Sequence, residues 1–254
     1  MVKAVEFMGV PGAGKSFIYT HLCAALRGRN NFYLPQNLLI LSSLRKRNVP
    51  AGMYRMFSLI PNRILWRLLR VEELKKEAFR CFIEERKGLK MWLDRRFEDL
   101  NYDESEKKLI SRRFYNFASE YWLYTQTIED GVILYDEGFI QLGLSFFISP
   151  FSGRRISEEE IYNYLKLTPV PSKVVWVSCS LELCYQRLMQ RKRGLPLRLK
   201  GLSKNKILEF LESSSQVFNI FHQFLSKECE VITIYNGEEG FSANDVENLL
   251  KEFR

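Results

Sequence analysis

The chain has 254 residues, with 38 Lys+Arg against 30 Asp+Glu, 46% hydrophobic residues, 14 Gly and 8 Pro. That apolar content excludes a chain disordered throughout and is enough for one large domain, or a domain with a sizeable insertion. No run of 18 apolar residues occurs, so a membrane-spanning helix is not expected, and the net charge of +8 is unevenly spread, with seven bases and no acid between 191 and 206.

The N-terminal segment Val2–Met8 is short, apolar and followed by glycine, which predicts a buried strand. Glu6 interrupts it and no small-residue cleavage site follows, so it does not read as a signal peptide, and a cytoplasmic protein is expected. Next comes Gly9-Val10-Pro11-Gly12-Ala13-Gly14-Lys15-Ser16, a full match to the phosphate-loop pattern between a strand and a helix. Glycines let backbone N–H groups converge on phosphate oxygens without Cβ obstruction, and the helix that follows adds a favourable dipole. Gly9, Pro11, Gly12, Ala13, Gly14, Lys15, Ser16 and Phe17 are therefore expected to bind the nucleotide. Lys15 is expected on the β/γ-phosphates and the Ser16 hydroxyl on Mg²⁺. The helix after the loop should bury Phe17, Ile18, His21, Leu22 and Ala25 on one face, with His21 a packed histidine.

Asn31–Pro35 is read as a short second strand. Residues 36–128 are helical in pattern, with apolar stripes such as Leu74/Ala78/Phe82, Leu89/Leu93/Phe97 and Ile110/Phe114/Phe117/Ala118/Tyr121. An insertion of this size is expected to carry acceptor specificity. Its aromatic residues Tyr115, Phe117, Tyr121, Trp122 and Tyr124 have helical spacing, which favours core over a stacking platform.

Strands return at Val132–Tyr135, Lys173–Cys179 and Glu230–Tyr235, each before a helical segment. Alternation of this kind predicts a parallel sheet covered by helices on both faces. Asp136 and Glu137 end the first of these strands, at the edge where open α/β sheets bind ligands. Asp136 is expected to hold Mg²⁺ or accept a proton; alternatively Glu137 activates water in a nucleotide hydrolase. The apolar run Leu144–Phe151 is read as core or substrate wall. After Lys173–Cys179, Arg187 and Arg191 lie four apart, Arg193 follows, and Gly194 and Pro196 mark a loop. A basic lid over 186–206 would neutralise charge on a transferred phosphoryl group, while a nucleic-acid track would have a similar charge pattern. His222 is read as packed, and the five scattered cysteines, without CxxC spacing, as buried free thiols.

Taken in order, the phosphate loop, the Asp136 strand end and the arginine segment resemble the P-loop kinases of the nucleotide and nucleoside kinase group, in particular thymidylate-kinase-like proteins. The likeness covers about 1–30 and 129–254. It implies a three-layer αβα sandwich on a five-stranded parallel sheet, with 1–35 and 129–254 as core and 36–128 as a large helical insertion. It implies ATP and Mg²⁺, Lys15, Asp136, Arg187, Arg191 and Arg193 as catalytic residues, Ser16 and Asp136 at the metal, and Asn236 and Gly237 in the loop that packs on adenine. Val10 to Ala13 contain no arginine, as in variants whose charge stabilisation comes from the lid. Thymidylate kinases follow the strand-end Asp with Arg, whereas here Glu137 stands in that place. A carboxylate repels an anionic acceptor, which favours a hydroxyl acceptor (nucleoside, sugar or other alcohol) over a nucleoside monophosphate. The arginines Arg63, Arg67, Arg112 and Arg113 of the insertion are the alternative phosphate binders. A small-molecule kinase is thus the leading expectation, ahead of a nucleotide hydrolase and a polynucleotide-directed kinase or binding protein.

Overall fold

A computed structural model describes residues 2–26, 31–46, 68–99, 102–150 and 157–253. Five strands form one sheet: β1 (Val2–Met8), β2 (Phe32–Tyr33), β3 (Gly131–Tyr135), β4 (Lys173–Ser178) and β5 (Glu230–Tyr235). Their order is β2-β3-β1-β4-β5 and every pairing is parallel. β1 is the middle strand of the five, and Val5, Phe7 and Met8 are accordingly buried. The register sets Glu6 opposite Tyr135 and Met8 opposite Trp176. The carboxyl ends of β1 and β3 therefore lie side by side, and with them the phosphate loop and the Asp136–Glu137 pair.

Ten α-helices are described: α1 (Lys15–Ala25), α2 (Pro35–Lys46), α3 (Val71–Glu85), α4 (Lys87–Asp99), α5 (Glu104–Thr127), α6 (Phe139–Phe147), α7 (Glu158–Leu167), α8 (Leu181–Met189), α9 (Lys204–Glu228) and α10 (Ala243–Lys251). The starts of α5, α7, α8 and α9 are capped by Asp103, Ser157, Ser180 and Ser203, each accepting from the backbone N–H three residues on. The described part of 36–128 is helical, as the periodicity predicts; Arg63 and Arg67 lie outside the described residues. The insertion is not a separate body. Phe82, Leu89, Leu93, Ile110, Phe114 and Ala118 belong to the same hydrophobic core as Val5, Phe7 and Phe139, Ile140, Leu144, Phe146 and Phe147 of α6. A second cluster joins Leu38, Leu39, Val71, Ala78, Leu123 and Tyr124 to Ile133 and Tyr135 of β3.

Phe117, Tyr121 and Tyr124 pack their rings on Tyr135 or Phe139, so they are core. His222 stacks on Trp176 with ring centroids 4.4 Å apart. His21 departs from the expected packing: α1 buries Ile18 and Leu22 but leaves Phe17 52% exposed, and His21 lies against Phe17 on the outside. Helix α1 starts one residue after Gly14, and that phase turns Ile18, Leu22 and then Leu26 inward, away from Phe17, His21 and Ala25. The five cysteines form no disulfide among the described residues, and only Cys184 is fully buried. Among the described residues no helix is long and apolar enough to cross a membrane.

Candidate active site

The phosphate loop runs from the end of β1 into α1. Gly14 caps α1 with φ of 96°, and a Cβ there would lie 2.2 Å from Asn236 Nδ2, so both the left-handed backbone and the close approach require glycine. Lys15 is buried and donates to the carbonyls of Gly9 at 2.7 Å and Val10 at 3.3 Å. Burial lowers its pKa, opposed by the nearby Glu137 and Asp136 carboxylates. Its ammonium is thus held within the loop that phosphates would enter.

Ser16 donates to Asp136 Oδ2 at 3.0 Å, joining α1 to the end of β3. Asp136 Oδ1 is buried without a hydrogen-bond partner, and burial raises the Asp136 pKa. A hydroxyl beside a carboxylate with a spare buried oxygen is a donor set that suits Mg²⁺, which takes few protein ligands and completes its shell with water and phosphate oxygens. Among the described residues no group of three or more His, Cys, Asp or Glu forms a metal cage; a Mg²⁺ site of this type does not need one.

Beside the loop opens a cavity of about 470 Å³. Pro11, Gly12, Gly14, Lys15, Ser16 and Phe17 line one side, while Gly9 and Ala13 lie beneath. The far wall includes Arg113 from α5, then Glu137, Gln141, Leu144 and Ser145 from the β3–α6 segment, and Leu199 and Phe210. Arg187, Arg191, Pro196 and Arg198 complete the cavity lining from the basic segment. Arg112 is exposed and is not among the lining residues.

The lid arginines divide into two kinds. Arg187 on α8 donates to the carbonyls of Asn236 (3.0 Å), Gly237 (2.7 Å) and Ala13 (3.4 Å), and so braces the phosphate loop against the loop after β5. Arg198 is clamped by Glu106 of α5 at 2.7 and 2.8 Å, and also donates to Ser145 Oγ and the Ile148 carbonyl. The second Glu106 oxygen accepts from Ser149. Arg191, by contrast, is exposed and lines the cavity. Arg193 is exposed and lies outside the lining residues. The common helix face expected for Arg187 and Arg191 is not formed, because α8 ends at Met189 and the chain turns at Gly194, where φ is 72°. Asn236 is buried and donates from Nδ2 to the Ala13 carbonyl at 2.7 Å. It supports the phosphate loop from behind, and neither it nor Gly237 lines the cavity.

Several site residues lie beyond the expected set. Glu6, buried in β1, accepts from the Gln141 backbone N–H at 2.8 Å and from those of Gly138 and Ile140, which places a carboxylate on the first turn of α6. A Cβ on Gly138 would meet Glu6 Oε2 at 2.3 Å, so this approach needs glycine. Burial outweighs these hydrogen bonds and pushes the Glu6 pKa up to about 8. The Gln141 side chain accepts from Gly9 N–H at 3.1 Å, linking α6 to the phosphate loop. Glu137 pairs with Arg113. The traces of these residues in the sequence are slight: an acid in an apolar strand, and Gln141 and Ser145 as the two polar side chains, four apart, in the otherwise apolar run Phe139–Phe147.

No protein-family model and no curated protein matches the chain. Among solved structures, it is similar to deoxyadenosine kinase from M. mycoides with products dCMP and a flexible dCDP bound, at 11% identity and TM-score 0.48, covering 98% of this chain and 97% of that one. The same enzyme with bound dCTP gives 11% identity and TM-score 0.44 over the same shares. Shikimate kinase from Bacteroides thetaiotaomicron gives 10% identity and TM-score 0.38 over 98% and 95%. At such distances the chemistry of this chain has to be read from its own side chains.

Proposed function

We propose that this protein is a Mg²⁺- and ATP-dependent phosphotransferase that moves the γ-phosphoryl group to a hydroxyl of a small molecule. The observation that carries this reading is the continuity of one cavity from Lys15 and Ser16, whose hydroxyl is bonded to Asp136, to a wall formed by Arg113, Glu137 and side chains of α6. A hydrolase has no use for such a wall; a transferase needs it to present an acceptor. The bonding change is simple. The acceptor oxygen bonds to the γ-phosphorus, the bond to the β–γ bridging oxygen breaks, ADP leaves with that electron pair, and the hydroxyl proton passes to Asp136. Its raised pKa suits Asp136 to receive that proton.

Lys15 and Arg191 are the cations that face the phosphates, and Arg187 holds the loop in shape. Ser16, with Asp136 through the water shell, would hold Mg²⁺, which when bound neutralises phosphate charge. The pairing of Glu137 with Arg113 speaks against Glu137 as a base for water, since one of its carboxylate oxygens already accepts from the guanidinium. Incubation of the protein with labelled ATP, Mg²⁺ and pools of nucleosides, nucleotides, sugars and amino alcohols tests the reading. ADP release that requires one pool supports it; release at the same rate with every pool and with none establishes a hydrolase instead.

A further inference from the structure

The cations of the cavity can be assigned one by one, and most are already used. Arg187 is satisfied by three backbone carbonyls, and Arg198 by Glu106, Ser145 and the Ile148 carbonyl. Arg113 is paired with Glu137. What remains among the described lining residues is Lys15 in the phosphate loop and Arg191, whose charge is felt at Lys15. Among the described residues, the wall made by Arg113, Glu137 and α6 thus offers no unpaired positive charge, and the Glu137 carboxylate is part of it. An anionic acceptor would be repelled by that carboxylate, with no unpaired cation among the described residues of the wall to offset it.

The polar groups that do face the acceptor have a definite pattern. Glu137 has one carboxylate oxygen on Arg113 and a second able to accept. The Gln141 carbonyl oxygen is taken by Gly9 N–H, a donor whose position the backbone fixes, so what Gln141 can offer a bound molecule is its N–H₂. Ser145 Oγ accepts from Arg198, which leaves its own O–H to donate. Leu144, Leu199 and Phe210 supply apolar surface between them. One carboxylate acceptor, two neutral donors and apolar walls match hydroxyl groups, each of which both donates and accepts, attached to a C–H-rich skeleton.

We propose that the acceptor is a neutral polyol, with one hydroxyl donating to Glu137 while others accept from Gln141 and Ser145. This rests on the phosphotransferase reading. Because Gln141 also holds Gly9, the acceptor site and the phosphate loop share a side chain, and a polyol bound there sits on the helix that fixes the loop.

The experiment compares kcat/KM, with Mg·ATP, for matched pairs on one skeleton: D-glucose and glucose 6-phosphate, myo-inositol and inositol 1-phosphate, uridine and UMP, with thymidine as a nucleoside lacking the vicinal diol. The expected result is transfer to a neutral member at least about tenfold better than to its anionic partner. Glu137→Gln, which frees Arg113, should move that ratio toward the anion by about tenfold or more while the KM for ATP changes less than about threefold. Arg113→Gln, which leaves the carboxylate alone, should move it the other way and provides the second variant if the first folds poorly. Preferred transfer to an anionic member, or a ratio unmoved by both variants, overturns the polyol while leaving the phosphotransferase standing. ADP release indifferent to every compound overturns both.

Discussion

The two sides of the cavity are built in different ways. On the phosphate side the working groups are largely backbone, provided by eight consecutive residues whose glycines set the chain's path. On the opposite side, where the proposed acceptor would lie, they are side chains brought from α5, α6, the basic segment and the β3 edge, with partners as far apart as Glu106 and Arg198 or Gly9 and Gln141. A site made from contiguous backbone survives wherever its strand and helix form, whereas a site made of paired side chains exists only when the whole core is in place. Substitutions on the first side should therefore damage turnover and spare stability. On the second side they should damage stability or acceptor choice first.

The largest effect is expected at Lys15. Lys15→Ala removes the buried ammonium from the loop and should lower kcat/KM by roughly 10³-fold, with a melting temperature close to that of the wild type. Asp136→Asn should lower kcat by about 10²–10³-fold and weaken ATP binding only a few-fold, measured by calorimetry alongside steady-state rates. Near-normal turnover in that variant would remove Asp136 from the mechanism.

Arg198→Ala tests the other side. It strands the Glu106 carboxylate, which is 5% exposed at its side chain, and should cost about 3–5 kcal/mol in denaturant unfolding. A loss below about 1 kcal/mol would mean that the buried clamp does not hold the basic segment to the insertion.

Glu6 links the two sides, and its effect depends on pH. Its folded pKa of about 8 lies above the ordinary value of 4.5, so the folded protein binds this proton more tightly than the unfolded chain does. Its contribution to stability is complete below pH 4.5 and is lost as pH rises through about 8, at full extent on the order of a few kcal/mol. Glu6→Gln should flatten the pH dependence of unfolding across that window, and an unchanged slope would show that the carboxylate is not buried as described. The smallest effect is expected at Arg193, which is exposed and outside the cavity lining. Arg193→Ala should change stability by less than about 0.5 kcal/mol and turnover by less than about threefold, in contrast to its neighbour Arg191.

The alternation of strands with helices, the phosphate loop and the helical nature of the insertion were legible in the order of residues alone. Each rests on short-range rules: strand alternation with helices, glycines that open the backbone, and apolar spacing of three and four residues. The order of residues also put Asp136 at the end of a strand, and the adjacency of β1 and β3 brings that end to Ser16 of the phosphate loop. That Arg187 and Asn236 brace the loop from behind, that Arg198 is consumed by Glu106, and that Arg113 pairs with Glu137 emerges from the folded chain. The reason is that a charge's role depends on what faces it, and here the facing groups lie 24 to 223 residues away along the chain. Periodicity reports which side of an element is buried, but not which distant side chain meets it there.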